Sequence, residues 1–505
     1  DSTLLVEFYA DSAAEAKTKI ADLLADRLPG YDAEVDPSED GVETDGSIEA
    51  VDALEAYDPD RQAKFWKMRK SGLPILLSRT GDDKHWPFVE DTAIPAENLP
   101  AYVSDLQELF DEHDTFAAYY AHAGPGVLHI RPLLNLKSED GTETMMAISE
   151  AVTDLVIEYD GSVSGEHGDG HARTRWNRKL YGENLWETFR DLKSAFDPDW
   201  LLNPGNVCGD HDPTENLRYD PDYAFDTDFD PVLNWENENG FQGMVELCHG
   251  CAGCTGHQDT TGGVMCPTYR AAEEEITSTR GRANMLRQAM SGDLPDDVFD
   301  DEFVHEVLDL CIGCKGCKAD CPSGVDMAKL KAEVTHEYHQ REGVTLRDRL
   351  FANVEQVLSL GSTFAPLSNW GMSLPGSGWL MEQTVGIARE RTLPGFHRTT
   401  FRDWWNDRDG AGVAESEADN RVLLLADPYT NYSHPDVGKA AVRVLEAAGV
   451  HVRVPEAVTD SGRPAYSKAM LDQARETARE NVDALAPLVE DGWDVVSVEP
   501  SDAGM

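Results

Sequence analysis

The chain has 505 residues, enough for about three domains at a typical size of roughly 150 residues each. Its 94 acidic residues outnumber its 43 basic ones, so the formal net charge is −51. This excess excludes an electrostatic nucleic-acid binder, because neutralising phosphates requires a basic surface, and it disfavours docking on anionic lipid. A hydrophobic content of 41% with 11 tryptophans indicates folded cores rather than disorder.

The type of charge predicts the environment of the protein. Only 15 of the 43 basic residues are Lys and 28 are Arg. Acid-rich, Lys-poor surfaces stay hydrated at high salt, where screening removes most self-repulsion, so we expect a protein from a salt-loving organism; an ordinary acidic protein is the alternative. Since no signal peptide is visible and the longest apolar runs are too short to span a membrane, we expect a cytoplasmic protein. A peripheral position at the inner membrane face is the alternative location.

Strand-like and helix-like stretches alternate over residues 1–205. The patterns predict strands at 4–10 and 127–131 and helices at 13–28 and 145–159. Mixed elements of this size indicate an α+β domain, which we place at residues 1–208. Because the chain opens inside an apolar run, we expect a fragment or one half of a split protein.

The remainder divides by composition into four segments. Residues 209–240, rich in Asp and interrupted by Pro, are predicted to be an acidic linker or an extended segment on a surface. Residues 241–345 hold eight of the nine cysteines, and 346–418 look helical. Residues 419–505 follow a β–α–β pattern, with strands at 422–426, 451–454 and 493–498 and a helix at 437–448, which predicts a small α/β domain.

The cysteines form two runs, each with two-residue spacings and a Cys-Pro. The first run is Cys248, Cys251 and Cys254 with Cys266-Pro267, and the second is Cys311, Cys314, Cys317 and Cys321-Pro322. Such spacing lets three thiolates converge on a [4Fe–4S] cluster, and in two-cluster ferredoxins the fourth Cys ligates the other cluster. That rule assigns one cluster to Cys248, Cys251, Cys254 and Cys321, and the other to Cys311, Cys314, Cys317 and Cys266. Zinc and disulfides fit the spacing less well, and Cys208 lies outside both runs.

Two loop-like stretches combine glycine, histidine and acid. They are residues 122–132 (HAGPGVLHIRP) and 164–170 (SGEHGDG). Two histidines and a carboxylate suit a divalent metal with an open coordination position, and His167 could then act as a general base. The alternative is that His129 is a satisfied core residue and Glu166 a turn carboxylate.

Several motifs, in order, resemble the C-terminal domain of FAD-linked oxidases, the family of D-lactate dehydrogenases, glycolate oxidase and D-2-hydroxyglutarate dehydrogenases. They are HIRPLLNL at 129–136, SGEHGDG at 164–170, and FDP…LNPG at 196–205. Segments at 264–270, 278–284 and 325–331 resemble the fusion of such a flavoenzyme with an iron–sulfur module in large bacterial and archaeal proteins. The resemblance implies a ferredoxin-like substrate domain at 1–208 and an α-helical two-cluster ferredoxin domain at 241–345.

The C-terminal residues 419–505 resemble the cysteine-rich domain of heterodisulfide-reductase-like proteins. Residues 460–464 (DSGRP) stand where those proteins have Cys-Cys-Gly, and residues 499–502 (EPSD) stand where a further Cys would end the motif. We therefore expect no third cluster.

The resemblance also implies roles for individual residues. His122, His129 and Glu166 would bind a divalent metal, zinc or manganese, and His167 would be the base. Arg69 matches an arginine that holds the substrate carboxylate, with a solvated helix charge as the alternative. Asn203 matches a flavin contact, with an Asn-Pro turn as the alternative, and Glu166 and Gly165 complete the predicted cofactor-binding set.

The chain departs from the family pattern in three places. Pro125 and Val127 replace polar residues of the motif HxGDGNxH, and a substrate lysine of some members aligns near Val89. Arg131 is the candidate replacement anchor. The family's FAD-binding domain, which should precede Asp1, is absent from this sequence.

The prediction is therefore an enzyme that uses FAD and two [4Fe–4S] clusters to oxidise a D-2-hydroxy acid to the 2-oxo acid. Electrons would leave singly through the clusters to a quinone, a cytochrome or a soluble carrier. One alternative is an electron-transfer subunit whose flavin is carried by a separate FAD-domain partner. Another alternative is a scaffold protein whose cysteines bind structural zinc.

Overall fold

The computed structural model describes residues 3–28, 50–227, 229–257, 263, 265–294, 301–408 and 410–503. The chain divides into two compact units, Asp1–Ser78 and Arg79–Met505, and each is described by itself.

The first unit contributes two helices, α1 (Ala13–Arg27) and α2 (Pro59–Leu76). Ser12 caps α1 by accepting a hydrogen bond from the backbone N of Glu15, and α1 confirms the helix predicted at 13–28. The strand predicted at residues 4–10 is wrong, because this stretch has no regular structure and Leu4 is 76% exposed. A strand requires a paired neighbour, and the described part of this unit contains no other strand.

The second unit begins with a four-stranded sheet centred on β4 (Val127–Leu134). Three strands pair antiparallel with β4: β1 (Lys84–His85), β2 (Thr92–Ala93) and β3 (Ala117–His122). The prediction of a strand at 127–131 is confirmed.

Two long helices cover this sheet. They are α3 (Leu99–Glu112) and α4 (Glu139–Glu158), the second of which confirms the helix predicted at 145–159. Their buried faces pack with β4 in one apolar core that includes Tyr102, Ile130 and Ile148. The mixture of helix and sheet agrees with the predicted α+β class.

After the sheet come α5 (Gly170–Tyr181) and α6 (Glu183–Phe196), followed by an irregular segment. Described residues between 209 and 235 form no helix or strand, as expected for a linker. Yet Tyr219 is 2% exposed in the core beside the sheet, and Trp235 is 5% exposed in the next core. The segment is therefore anchored at these two positions.

The cysteine-rich part is helical. Its helices are α7 (Gly240–Glu246), α8 (Pro267–Ala272), α9 (Thr279–Met290), α10 (Asp301–Phe303) with a π-helical continuation (Val304–Leu308), α11 (Gly316–Asp320) and α12 (Met327–Glu342). Their apolar side chains share a core with Cys248, Cys254, Cys266 and Cys317.

The predicted helical stretch at 346–418 is confirmed. It contains α13 (Leu346–Ala352), α14 (Val354–Thr363), α15 (Leu367–Met372), α16 (Ser377–Val385) and α17 (Phe401–Asn406).

The last part is a parallel three-stranded sheet in the order β6–β5–β7, as the β–α–β pattern predicts. Its elements are β5 (Asn420–Leu425), α18 (Pro428–Tyr432), α19 (Pro435–Ala447), β6 (Val450–Arg453), α20 (Arg463–Ser467), α21 (Leu471–Glu490), β7 (Asp494–Ser497) and α22 (Pro500–Ala503). Across the described residues, no helix is both long and apolar enough to cross a membrane.

Candidate functional site

The β3–β4 hairpin brings two histidines onto one face of the sheet. Tyr120 is paired with His129, and His122 lies two residues beyond Tyr120, so all three rings project from the same side. The His122 and His129 ring centroids are 5.4 Å apart. The hairpin closes at Gly126, whose φ is +81° and where a Cβ would lie 1.9 Å from the carbonyl oxygen of Ile94. Only glycine fits this turn.

Glu166 lies between these histidines. Its Oε1 is 3.4 Å from Nε2 of His122 and 3.1 Å from Nε2 of His129. The loop that carries Glu166 is held by Asp91, which is fully buried. The Asp91 carboxylate accepts hydrogen bonds from the backbone N of Glu166 (3.0 Å) and of His167 (2.7 Å). The position of both side chains therefore depends on one buried anion.

Glu90 contacts both His167, the predicted base, and Arg131, the predicted anchor of the substrate carboxylate. Its Oε1 is 3.3 Å from Nδ1 of His167, and its Oε2 is 2.5 Å from Nη2 of Arg131. The His167 ring also stacks on His129, with centroids 5.1 Å apart. A carboxylate on Nδ1 fixes the imidazole so that Nε2 is free to exchange a proton. Arg131 is 8% exposed and already paired, so holding a substrate there would require opening that pair.

The donor set fits a divalent cation. Nδ1 of His129 is buried with no hydrogen-bond partner among the described residues. Burial also lowers the pKa of His129, despite nearby Glu90 and Glu166, which favours the neutral ring that metal coordination requires. One ligand atom from each of Asp91, His129, Glu166 and His167 lies within 4.8 Å of the others; this group contains two of the three predicted ligands, His129 and Glu166, and has His167 and Asp91 in place of His122. The group holds more acidic than basic charge, which a cation would offset.

The sequence prediction missed three members of this site. They are Glu90, Asp91 and Arg173, which donates to the backbone oxygens of Gly168 (2.7 Å) and Glu90 (2.6 Å). The adjacent acids at 90 and 91 could have been found as a charged pair directly before the strand-like residues 92–93. The sequence gives no sign that they reach the loop some 75 residues later.

The other predicted residues lie in three settings. Gly165 donates to the backbone oxygen of Asp91 (2.7 Å), which seats the Glu166 loop against β2. Asn203 has a φ of +47° and accepts a hydrogen bond from Asn206 (2.6 Å) beside the exposed Leu202. Arg69 lies on α2 of the first unit, with its guanidinium carbon 5.8 Å from the Trp66 ring centre. Their predicted roles remain predictions.

The eight cluster cysteines are free thiols with a repeated pattern of burial. In the first run Cys248 and Cys254 are buried and Cys251 is exposed. In the second run Cys317 is buried, Cys314 is exposed and Cys311 is intermediate. Cys266 is buried and Cys321 is intermediate, so each predicted cluster has two buried ligands, one intermediate ligand and one exposed ligand.

The surroundings of the thiols suit anionic clusters. Burial raises the pKa of Cys248 to about 11 and that of Cys317 to about 12, so metal coordination is what would keep these sulfurs deprotonated. The charges of Cys254 and Cys321 add to the shift at Cys248, which places Cys321 beside the first run. The charge of Cys266 likewise raises the pKa of Cys254. The first run is therefore near both Cys321 and Cys266, and the choice of its fourth ligand stays a prediction.

Positive groups contact each run. Arg218 donates to the backbone oxygen of Cys248 (2.5 Å), and Lys331 donates to that of Cys311 (2.8 Å). Arg282, 2% exposed, has Nη1 3.8 Å from Sγ of Cys266. Buried cations stabilise the negative charge of a thiolate-bound cluster.

A buried ion pair links the two regions. Lys137, three residues after β4, bonds to Glu246 at 2.8 Å and to Asp82 at 2.7 Å. The Glu246 side chain is 2% exposed and lies two residues before Cys248. The histidine hairpin and the first cysteine run are therefore tied together within the second unit.

Two family models match the chain. One is the C-terminal domain of FAD linked oxidases, over residues 1–207, and the other is a 4Fe-4S dicluster domain, over 244–325. The chain thus combines an FAD-linked oxidase C-terminal domain with an iron–sulfur dicluster domain, which confirms the resemblance found in the sequence. The first match implies FAD and the second implies [4Fe–4S] clusters.

The chain is also similar to several curated proteins. A D-2-hydroxyglutarate dehydrogenase of Pantoea ananatis is 26% identical over 98% of this chain and 51% of its own length. That of Escherichia coli is 27% identical over 87% of this chain and 46% of its own. A glycolate oxidase subunit of Escherichia coli is 32% identical over 31% of this chain and 30% of its own. The chain spans about half the length of the dehydrogenases that it matches.

Proposed function

We propose that the chain is the substrate-binding and electron-exit part of an FAD-dependent dehydrogenase that oxidises a D-2-hydroxy acid to the 2-oxo acid. The observation that carries the proposal is the cluster of His122, His129, Glu166 and His167, in a chain that also holds two cysteine runs. Among the candidate substrates, D-2-hydroxyglutarate is favoured over D-lactate and glycolate, because the relatives of that name align over most of the chain.

The reaction removes a proton from the 2-hydroxyl and a hydride from C2. His167, oriented by Glu90, takes the hydroxyl proton at Nε2. FAD, when bound, accepts the hydride. Arg131 and Arg69 are the proposed clamps for the substrate carboxylate, a task that suits the planar guanidinium group.

His122, His129 and Glu166 would hold the proposed divalent metal, zinc or manganese. A cation there would polarise the 2-hydroxyl and lower its pKa. Glu166 and the neutral His129 supply an oxygen and a nitrogen ligand of the kind both metals accept. Asp91 acts through the backbone by holding Glu166 and His167 in place.

The two [4Fe–4S] clusters would pass electrons singly to the acceptor: a quinone, a cytochrome or a soluble carrier. The ligand sets are those proposed from the spacing, with Cys321 and Cys266 exchanged between runs. The exposed Cys251 and Cys314 give each cluster one corner at the surface.

A second candidate is an electron-transfer subunit whose FAD is carried by a separate protein segment. Large apolar side chains beside Asn203 favour it: Phe196 is 85% exposed, Leu201 75% and Leu202 69%. A flavin-carrying partner would cover this surface and bring its flavin to Asn203.

One anaerobic experiment tests these alternatives. The purified protein is analysed for iron, sulfide and flavin, and dye reduction is then measured with D-2-hydroxyglutarate, D-lactate and glycolate. We expect about eight irons per chain and a preference for D-2-hydroxyglutarate. Clusters without flavin, with dye reduction restored only by a flavin-carrying partner, would support the second candidate. A colourless, zinc-containing protein would overturn both.

A further inference from the structure

The longest charge-free stretch of the chain lies in its helical connector. Residues 356–381 contain 26 consecutive positions without Asp, Glu, Lys or Arg, in a protein in which 27% of residues are charged. These residues form most of α14, all of α15 and the first half of α16. Hydration of the protein surface does not explain this stretch, because it contains no charged side chain.

The apolar side chains of this stretch point outward. We define the apolar helical face as the following six residues, each more than half exposed: Leu360, Phe364, Leu367, Trp370, Trp379 and Leu380. Helix α14 has a separate inner side, where Val354 and Leu358 are buried. The outer face is therefore additional to the core rather than a poorly packed part of it.

The stretch of chain that carries this face lacks the acidic excess of the rest of the protein. Residues 343–402 carry six arginines against four acids, whereas the average composition of the chain would give about six net negative charges over that length. The segment after α16 folds back over the helices: the main chain of Arg389 lies against Gly378, and Asn369 bonds to the backbone of Phe396. Arg391 and Arg398, on this returning segment, are exposed and form no ion pair with a described carboxylate.

We propose that the apolar helical face docks on the surface of a lipid bilayer. Exposed Trp, Phe and Leu on helices, with exposed arginines on an adjoining segment, is the composition of interfacial membrane-binding helices. In these, the apolar side chains enter the acyl boundary and the arginines contact lipid phosphates. The proposal rests on the proposed function, because it places the electron acceptor in the membrane. The overall charge of −51 opposes approach to anionic lipid, but residues 356–381, which carry this face, contribute no acidic side chain to that repulsion.

The test is flotation of the cluster-loaded protein with vesicles of phosphatidylcholine, alone or with phosphatidylglycerol as one third of the lipid. We expect the protein to float with both, and L360S/L367S to weaken binding about tenfold or more. The matched control is V444S/V482S, which removes two aliphatic side chains of similar exposure from the C-terminal domain and should leave binding unchanged. R391Q/R398Q should weaken binding to the vesicles that contain phosphatidylglycerol by about fivefold per arginine.

Three outcomes would overturn docking on lipid. They are a wild-type protein that floats with neither vesicle, equal weakening by the two aliphatic double variants, and a dimer in light scattering that L360S/L367S alone makes monomeric. The last would assign the face to a second copy of the chain. Dye-linked oxidation needs no membrane, so its loss with flotation intact would contradict the proposed function alone.

Discussion

The histidine–carboxylate site and the cysteine-rich region hold their functional groups in opposite ways. The first is assembled from the β3–β4 hairpin, the 90–91 turn and the 164–170 loop, and its carboxylates are fixed by backbone amides and arginines. The second draws its thiols from two short runs within an apolar core. The contrast teaches that three of the four proposed ligands of each cluster come from one short stretch of the chain, and only the fourth depends on contact between the runs. The candidate catalytic site depends on tertiary contacts for every one of its groups. Damage to a single cysteine run and damage to a remote anchor should therefore have different consequences.

The largest expected effect is loss of one cluster. Cys317→Ala should reduce iron from about eight to about four per chain, because one cluster loses a buried ligand. Iron and sulfide analysis with electron paramagnetic resonance of the reduced protein measures this. Cys208→Ala, at a buried cysteine outside both runs, is the control and should keep all the iron. Full iron in the Cys317 variant would contradict the two-cluster assignment.

Loss of the proposed base should leave the clusters intact. His167→Ala should slow reduction of bound flavin by substrate by about 10²–10⁴-fold, the usual contribution of a general base. Stopped-flow absorbance of the FAD-loaded protein measures the rate. His171→Ala, four residues along the chain, is the matched control. If the two variants reduce flavin equally fast, His167 is not the base.

The ion pair between the two regions should matter for stability. Lys137→Met leaves Glu246 buried without its cation, which should cost about 3–5 kcal/mol in the free energy of unfolding. Urea unfolding followed by tryptophan fluorescence measures the loss. The double variant Lys137→Met/Glu246→Met should recover most of it, because the unpaired charge is gone. A single variant as stable as the wild type would show that the pair is solvated.

The smallest effect concerns pH. Burial lowers the pKa of His85, whose Nδ1 is 2.9 Å from the backbone oxygen of Arg131. Below about pH 6.5, His85 is protonated in the unfolded state but still neutral in the folded state, where its pKa is lower. The free energy of unfolding therefore falls as the pH drops toward the pKa of His85 in the folded protein. His85→Gln should flatten this slope in unfolding curves at several pH values. His113→Gln is the control, and an unchanged slope for His85→Gln would exclude His85 as its source.

The sequence was most informative where chemistry follows from spacing. Both cysteine runs, the helices at 13–28 and 145–159, and the C-terminal β–α–β unit depend on local periodicity, and each could be predicted. The roles of Glu90 and Asp91 could not, because no local signal connects residue 91 to the amides of 166 and 167. The prediction of a strand at 4–10 was wrong for a related reason. An apolar, strand-like sequence forms a strand only if a neighbouring strand is available to pair with it.

The pair between Lys137 and Glu246 joins residues 109 positions apart. Closing a loop of that length has an entropic cost that only prior structure at both ends can offset. Prior formation of the sheet that ends just before Lys137, and of helix α7, which carries Glu246, would reduce this cost. We therefore expect the contact between Lys137 and Glu246 to form late in folding, after the local elements that carry the two residues.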